Sequence, residues 1–158
     1  MDQGIKSAVA LRILIGFVAG FLATLLFHQL LVGLLWKAGI INFAPFDMKP
    51  TLPFGVPSVI SLAFWGGLWG IVYVLIHDRF GSDSRYWTIA LFFGGIFPSL
   101  GFLLVVLPMK GAPIGGGWAP GLLLIVFLVN AAWGVGTGLF AKGMLRWASG
   151  SRAAKGSV

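Results

Sequence analysis

Four apolar stretches, each long enough to cross a hydrocarbon core of roughly 30 Å as an α-helix, constrain this chain more than any other feature. They cover residues 13–36, 58–76, 87–108 and 119–141 and are almost free of charge. The expected fold is therefore all-α: a polytopic membrane protein whose residues 1–158 form one four-helix transmembrane domain with a short basic C-terminal tail. A soluble bundle built from the same helices would have to hide every face of each one at once. Composition agrees, since a chain 58% hydrophobic and 9% charged has too little polar surface to coat a globule in water.

The charges mark the ends of the spans. Lys6, Arg12, Arg79, Arg85, Lys142, Arg146, Arg152 and Lys155 share one side with both termini, while Lys37, Lys49 and Lys110 lie opposite. The positive-inside bias then places both termini in the cytoplasm. The net charge of +7 reports this topology and does not point to nucleic acid, because no basic face carries interleaved stacking aromatics. The first stretch is too long for a signal-peptide core and runs into Trp36 and Lys37 without a small-residue cleavage pattern, so it reads as a retained span.

Between the spans the sequence is punctuated. Residues 1–12 read as a polar lead with at most a helical turn, and Pro45, Pro50, Pro53 and Pro57 forbid a continuous helix over 37–57. Gly81 to Ser84 supply turn chemistry, Pro98 predicts a kink in the third span, and the Ala/Gly/Ser-containing tail is expected to fray. The two halves are weakly alike. Met-Lys recurs at 48–49 and 109–110, proline at 57 and 120, and Trp-Gly at 69–70 and 133–134. Either a parallel 2+2 repeat of helix pairs or shared four-helix hydropathy accounts for this.

Glycine is the second informative feature. Gly16, Gly20 and Thr24 line one face of the first span, Ala63 and Gly67 with Gly66 and Gly70 one face of the second, and Gly134 and Gly138 one face of the fourth. Small residues at every fourth position let backbones approach where lipid offers no hydrophobic reason to associate. Such faces serve either the bundle's own crossings or contact with a second copy or another membrane subunit. Trp36, Trp118, Tyr86, Trp87 and Trp147 are placed as interfacial anchors, and Trp65, Trp69 and Trp133 as rings filling glycine grooves.

Few polar residues interrupt the spans, and those are where function is sought first. His28, Gln29, Ser61 and Asn130, with Asp47 and Lys49 at the mouth, define a candidate outward-facing polar pocket; the competing role is interhelical hydrogen bonding. Haem held between two histidines is excluded, because His28 and His77 lie about 20 Å apart along the membrane normal, leaving His28 alone as a conceivable pigment or haem ligand. No cofactor or metal is expected. Catalysis lacks parts too: there is no cysteine and no glutamate, the aspartates Asp2, Asp47, Asp78 and Asp83 sit at interfaces or in loops, and HExxH, GxSxG and P-loop patterns are missing. His77 and Asp78 read as a helix-end cap and a loop charge.

The strings PFGVPSVISLAFWGGLWG (53–70) and NAAWGVGTGL (130–139) resemble a group of small, uncharacterised four-span integral membrane proteins of proteobacteria. That resemblance implies a bacterial inner-membrane location and assigns no activity or site residue. Two function classes follow from the residues. The first is a noncatalytic interaction protein or accessory subunit whose glycine-rich helix faces meet another membrane protein or another copy within the lipid bilayer. The second is a small transporter or channel around a polar path, disfavoured because the spans hold few ionisable groups and no charged ring. The topology is directly testable: single cysteines at Ser82 and Ala112 should react with an impermeant thiol reagent from opposite faces of the membrane. Labelling of both from one face would overturn the four-span reading.

Overall fold

A computed structural model describes the backbone of residues 3–81 and 83–155, and side chains as far as residue 150. Asp2, Ser82 and the side chains of Arg152 and Lys155 therefore lie outside the described residues. Among the described residues the fold is all-helical apart from one minimal hairpin. Its four main helices, α1 (Gln3–Lys37), α2 (Ser58–Ile76), α3 (Ser84–Met109) and α4 (Pro120–Lys155), are each long and apolar enough to cross a membrane.

Two ends differ from expectation. The polar lead is helical from Gln3, and the basic tail continues as helix to Lys155 instead of fraying. Ala8 and Leu11 on α1, and Leu145 and Ala148 on α4, are each spaced three apart and so share one face of their helix. They line a common groove, so apolar contact continues past the apolar stretches. Pro98 does not interrupt α3: the backbone is helical on both sides of it. The ring removes the donor that would reach the Gly94 carbonyl, and irregularity appears further on, as a widened π turn over Phe102–Val106. A second π turn, Thr24–His28, lies in α1. Such turns insert one extra residue per turn and re-aim the side chains that follow.

The helices associate as two tight pairs, α1 with α2 and α3 with α4, joined mainly through α1 against α4. Glycine sets the first crossing. A Cβ added at Gly20 would overlap the Gly66 carbonyl, one at Gly16 would stand 2.7 Å from the Gly70 oxygen, and one at Gly70 would overlap the Gly16 carbonyl. The second pair repeats the device, with Gly94 and Gly134 packed backbone to backbone and Gly134 also against the Ala90 carbonyl. Gly67 differs, since its missing side chain is replaced by the Phe17 ring, and Gly138 faces Tyr73 and Ala90. All the glycines assigned to helix packing from the sequence thus meet their own chain.

Between α2 and α3 the backbones stand further apart and rings fill the gap. Tyr73 packs edge-on against Phe80 and Phe93 at centroid distances of 5.3 and 5.4 Å, and Tyr86 and Trp133 complete this core. Two aromatic assignments need correction. Tyr86 is not an interfacial anchor: it is only 2% exposed and donates its hydroxyl to the Gly138 carbonyl at 2.9 Å. Trp65 fills no groove but points outward, 58% exposed, because the glycine face of α2 turns the other way toward α1.

The 38–57 connection contains the hairpin, β1 (Pro50–Thr51) paired antiparallel with β2 (Val56–Pro57). Its tip presents Leu52 and Phe54, 96% and 87% exposed. The 110–119 connection turns through Gly115, Gly116 and Gly117, all with positive φ, a conformation that glycine adopts without steric cost.

Crossing geometry ranks the glycines. Gly134→Ala should destabilise the chain by about 1–3 kcal/mol, because backbone and not a movable side chain opposes the new methyl. Gly143→Ala meets open space and should be neutral or mildly stabilising, since alanine favours helix. Unfolding of both variants in mild detergent measures the difference; equal stabilities would mean that α3 and α4 do not cross closely.

Candidate functional site

The polar residues in and near the spans separate into three groups at different depths. Nearest the loops opposite the termini, Gln29 is buried, and its carboxamide oxygen accepts the Phe46 N–H at 2.6 Å. Phe46 holds a positive φ of 56°, uncommon for a residue with a side chain, so Gln29 fastens a strained point of the 38–57 connection onto α1. His28 is the last residue of the π turn and lies 3.4 Å from the Gln29 side-chain nitrogen through its Nδ1. Asp47 accepts the Lys49 N–H at 3.0 Å, and its backbone oxygen accepts the Val59 N–H at 2.9 Å, which seats the connection on the start of α2. Ser61 is half-buried on the next turn of α2.

Asn130 belongs to a different set. Its Nδ2 donates to Ser99 Oγ at 3.1 Å and to the Val126 carbonyl at 3.0 Å, linking α4 to α3 beside Pro98. Of the six residues assigned to one pocket, the structure joins His28 with Gln29 and Asp47 with Lys49, and places Asn130 with Ser99.

At mid-depth the central element is the Gly20 carbonyl, which accepts Trp133 Nε1–H at 2.9 Å and Thr24 Oγ–H at 3.0 Å. The indole reaches it because Gly20 and Gly66 present no side chain, so the two pairs are joined by a directed bond where apolar matching alone would leave register open. Thr137 also lies inside, its hydroxyl buried with no hydrogen-bond partner.

At the end that carries both termini, Arg12 Nη2 and Asp78 Oδ2 form an ion pair of 2.5 Å between α1 and the turn following α2. His77 lies alongside, its Nε2 3.4 Å from Asp78 Oδ1 and its Nδ1 2.9 Å from the Val74 carbonyl. Sequence reasoning misses this pairing: from the sequence Arg12 reads as a topology charge and Asp78 as a loop charge, and 66 residues separate them. The only signal was that both sit just outside their apolar stretches on the same side. Comparison with protein-family models, with curated proteins and with solved structures finds no match.

These bonds can be tested separately. Gln29→Leu leaves a backbone N–H without its acceptor and should cost about 1–3 kcal/mol, with faster amide exchange around Phe46. Trp133→Phe should cost about 1–2 kcal/mol. Thr137→Val, which removes an unpaired buried hydroxyl, should be neutral or stabilising. Detergent unfolding and hydrogen exchange read all three, and a destabilised Thr137→Val would show that the hydroxyl has a partner.

Proposed function

We propose that this chain is a noncatalytic integral membrane interaction protein, an accessory subunit of another membrane protein. In this reading it lies in the bacterial inner membrane with both termini cytoplasmic, and its helix pairs form a parallel 2+2 repeat. One observation carries the functional reading: Asn130 bonds Ser99 and Trp133 bonds the Gly20 carbonyl inside the chain, instead of these polar groups forming a series of sites along one path. Transport needs such a series or a ring of charge.

The glycine faces are likewise occupied by the chain's own crossings. What remains for a partner is large and apolar: Phe64 and Trp65 on α2, Phe92, Ile96 and Phe97 on α3, and the exposed hairpin tip. The repeat is supported by matched crossings, Gly20 with Gly70 and Gly94 with Gly134, and by the two Trp-Gly pairs. In each, the glycine packs on its own pair while the tryptophan reaches the other, Trp133 to Gly20 and Trp69 to Phe93 and Gly101. Each outgoing helix also carries a π turn.

The test combines recovery and flux. Crosslinking in native membranes followed by purification in mild detergent and mass spectrometry should recover one membrane protein in fixed ratio, and His28→Phe should alter that recovery or the stability of the chain. The purified chain in proteoliposomes should give no flux. Substrate-dependent flux from the isolated protein, lost in His28→Phe and retained when His77 is replaced, would rule out the accessory role as the sole function.

A further inference from the structure

At the end of the bundle that carries both termini, a groove of about 280 Å³ opens between α1, the turn after α2, and α4. Its walls divide by chemistry. Ala8 and Leu11 of α1 and Leu145 and Ala148 of α4 make an apolar side, while Arg12, His77, Asp78 and Ser149 make a polar one. We propose that this groove binds a phosphoethanolamine group, held by Arg12 and Asp78, with phosphatidylethanolamine as its membrane source.

The pairing of charges selects the ligand. A purely anionic headgroup would meet the Asp78 carboxylate beside the guanidinium, and a purely cationic ligand would meet Arg12; a phosphate and an ammonium two carbons apart satisfy both. Neither side chain is saturated by the other. Arg12 commits Nη2 to Asp78, and a guanidinium has five N–H donors in a planar fork suited to phosphate. Asp78 Oδ1 lies 3.4 Å from His77 Nε2, but the carboxylate is 61% exposed and its two oxygens have further acceptor positions toward solvent that an ammonium can use. A primary ammonium donates three hydrogen bonds, whereas the quaternary ammonium of a choline headgroup donates none, so the carboxylate discriminates between them.

Position agrees with a lipid. The groove begins immediately after Ile76, the last residue of α2, and the strongly exposed Trp147 lies on α4 between Leu145 and Ala148, where indoles favour the headgroup level. Leu11 and Leu145 make the spanward part of the apolar wall, the side on which a bound lipid would place its glycerol and upper acyl carbons. Lys142 stacks over the Tyr86 and Trp87 rings, at 4.7 and 5.4 Å from their centroids.

The proposal rests on membrane insertion, which the cysteine labelling tests independently, and not on the accessory role. The experiment is native mass spectrometry of the full chain, released from detergent with phosphatidylethanolamine, phosphatidylglycerol or phosphatidylcholine of identical acyl chains. Phosphatidylethanolamine should be retained about tenfold more tightly than either other lipid, as expected for one additional charge-assisted contact. Asp78→Asn should erase its advantage over phosphatidylcholine, and Arg12→Gln should weaken all three. Because those two variants also break the ion pair between α1 and the turn after α2, Ala148→Phe provides the independent arm: it fills the groove from the apolar side and should abolish retention with the unfolding midpoint unchanged. Soluble phosphoethanolamine added as competitor identifies the source. Displacement at concentrations near those of the lipid would support the site with a soluble aminophosphate as its ligand, and failure to displace would support the site with lipid as its ligand. Equal retention of the three lipids by a correctly inserted wild-type chain, or undiminished retention by Ala148→Phe, would overturn the proposal.

Discussion

Close approach of helix backbones at glycine is the constraint on which the rest of this structure depends. Where Gly16 and Gly20 meet Gly66 and Gly70, and where Gly94 meets Gly134, no room exists for even a methyl group. Contact this close gains dispersion energy along the helix surfaces and does not rely on expelling water, the driving force that a bilayer lacks. It also decides where large side chains go. With the pair interiors closed by glycine, Tyr73, Phe80, Tyr86, Phe93 and Trp133 collect where the pairs meet.

Directed bonds then remove the freedom that apolar packing leaves. Rings of similar size repack at small cost, so aromatic contact alone would tolerate sliding of one pair against the other. The Trp133 indole binds the Gly20 carbonyl and registers one pair against the other, while the Tyr86 hydroxyl binds the Gly138 carbonyl and registers α3 against α4 within the second pair. In both cases glycine makes the acceptor reachable, so the feature that permits close packing also permits its registration. Gln29 performs a related task outside the core by holding Phe46 in a conformation it would not adopt unaided.

The two ends of the molecule are chemically unlike. The 38–57 connection is apolar at its tip and seated by hydrogen bonds that Gln29 and Asp47 accept and Ser58 donates. The end with both termini is basic, and its ion pair and mixed groove lie between helices that extend beyond the apolar stretches. An accessory subunit built this way would meet a partner through apolar faces and its hairpin, and would meet headgroups through the basic end.

Hydropathy made the number of long helices and the interrupted 37–57 connection legible, because burying a backbone in hydrocarbon demands a long apolar helix wherever the chain crosses, but it missed the extensions of α1 back to Gln3 and of α4 on to Lys155 outside the apolar stretches. The four-residue spacing of Gly16, Gly20, Gly66, Gly70 and Gly134 likewise exposed which faces pack closely. Periodicity along one helix cannot say which helix lies opposite, so whether those faces served the chain itself or a partner was open until tertiary structure paired them. The same limit hid the burial of Tyr86, the outward turn of Trp65, and the division of His28, Gln29 and Asn130 between separate networks. It also hid the meeting of Arg12 with Asp78. A side chain's own sequence determines how deep it sits; only the packing of helices distant along the chain determines what it touches.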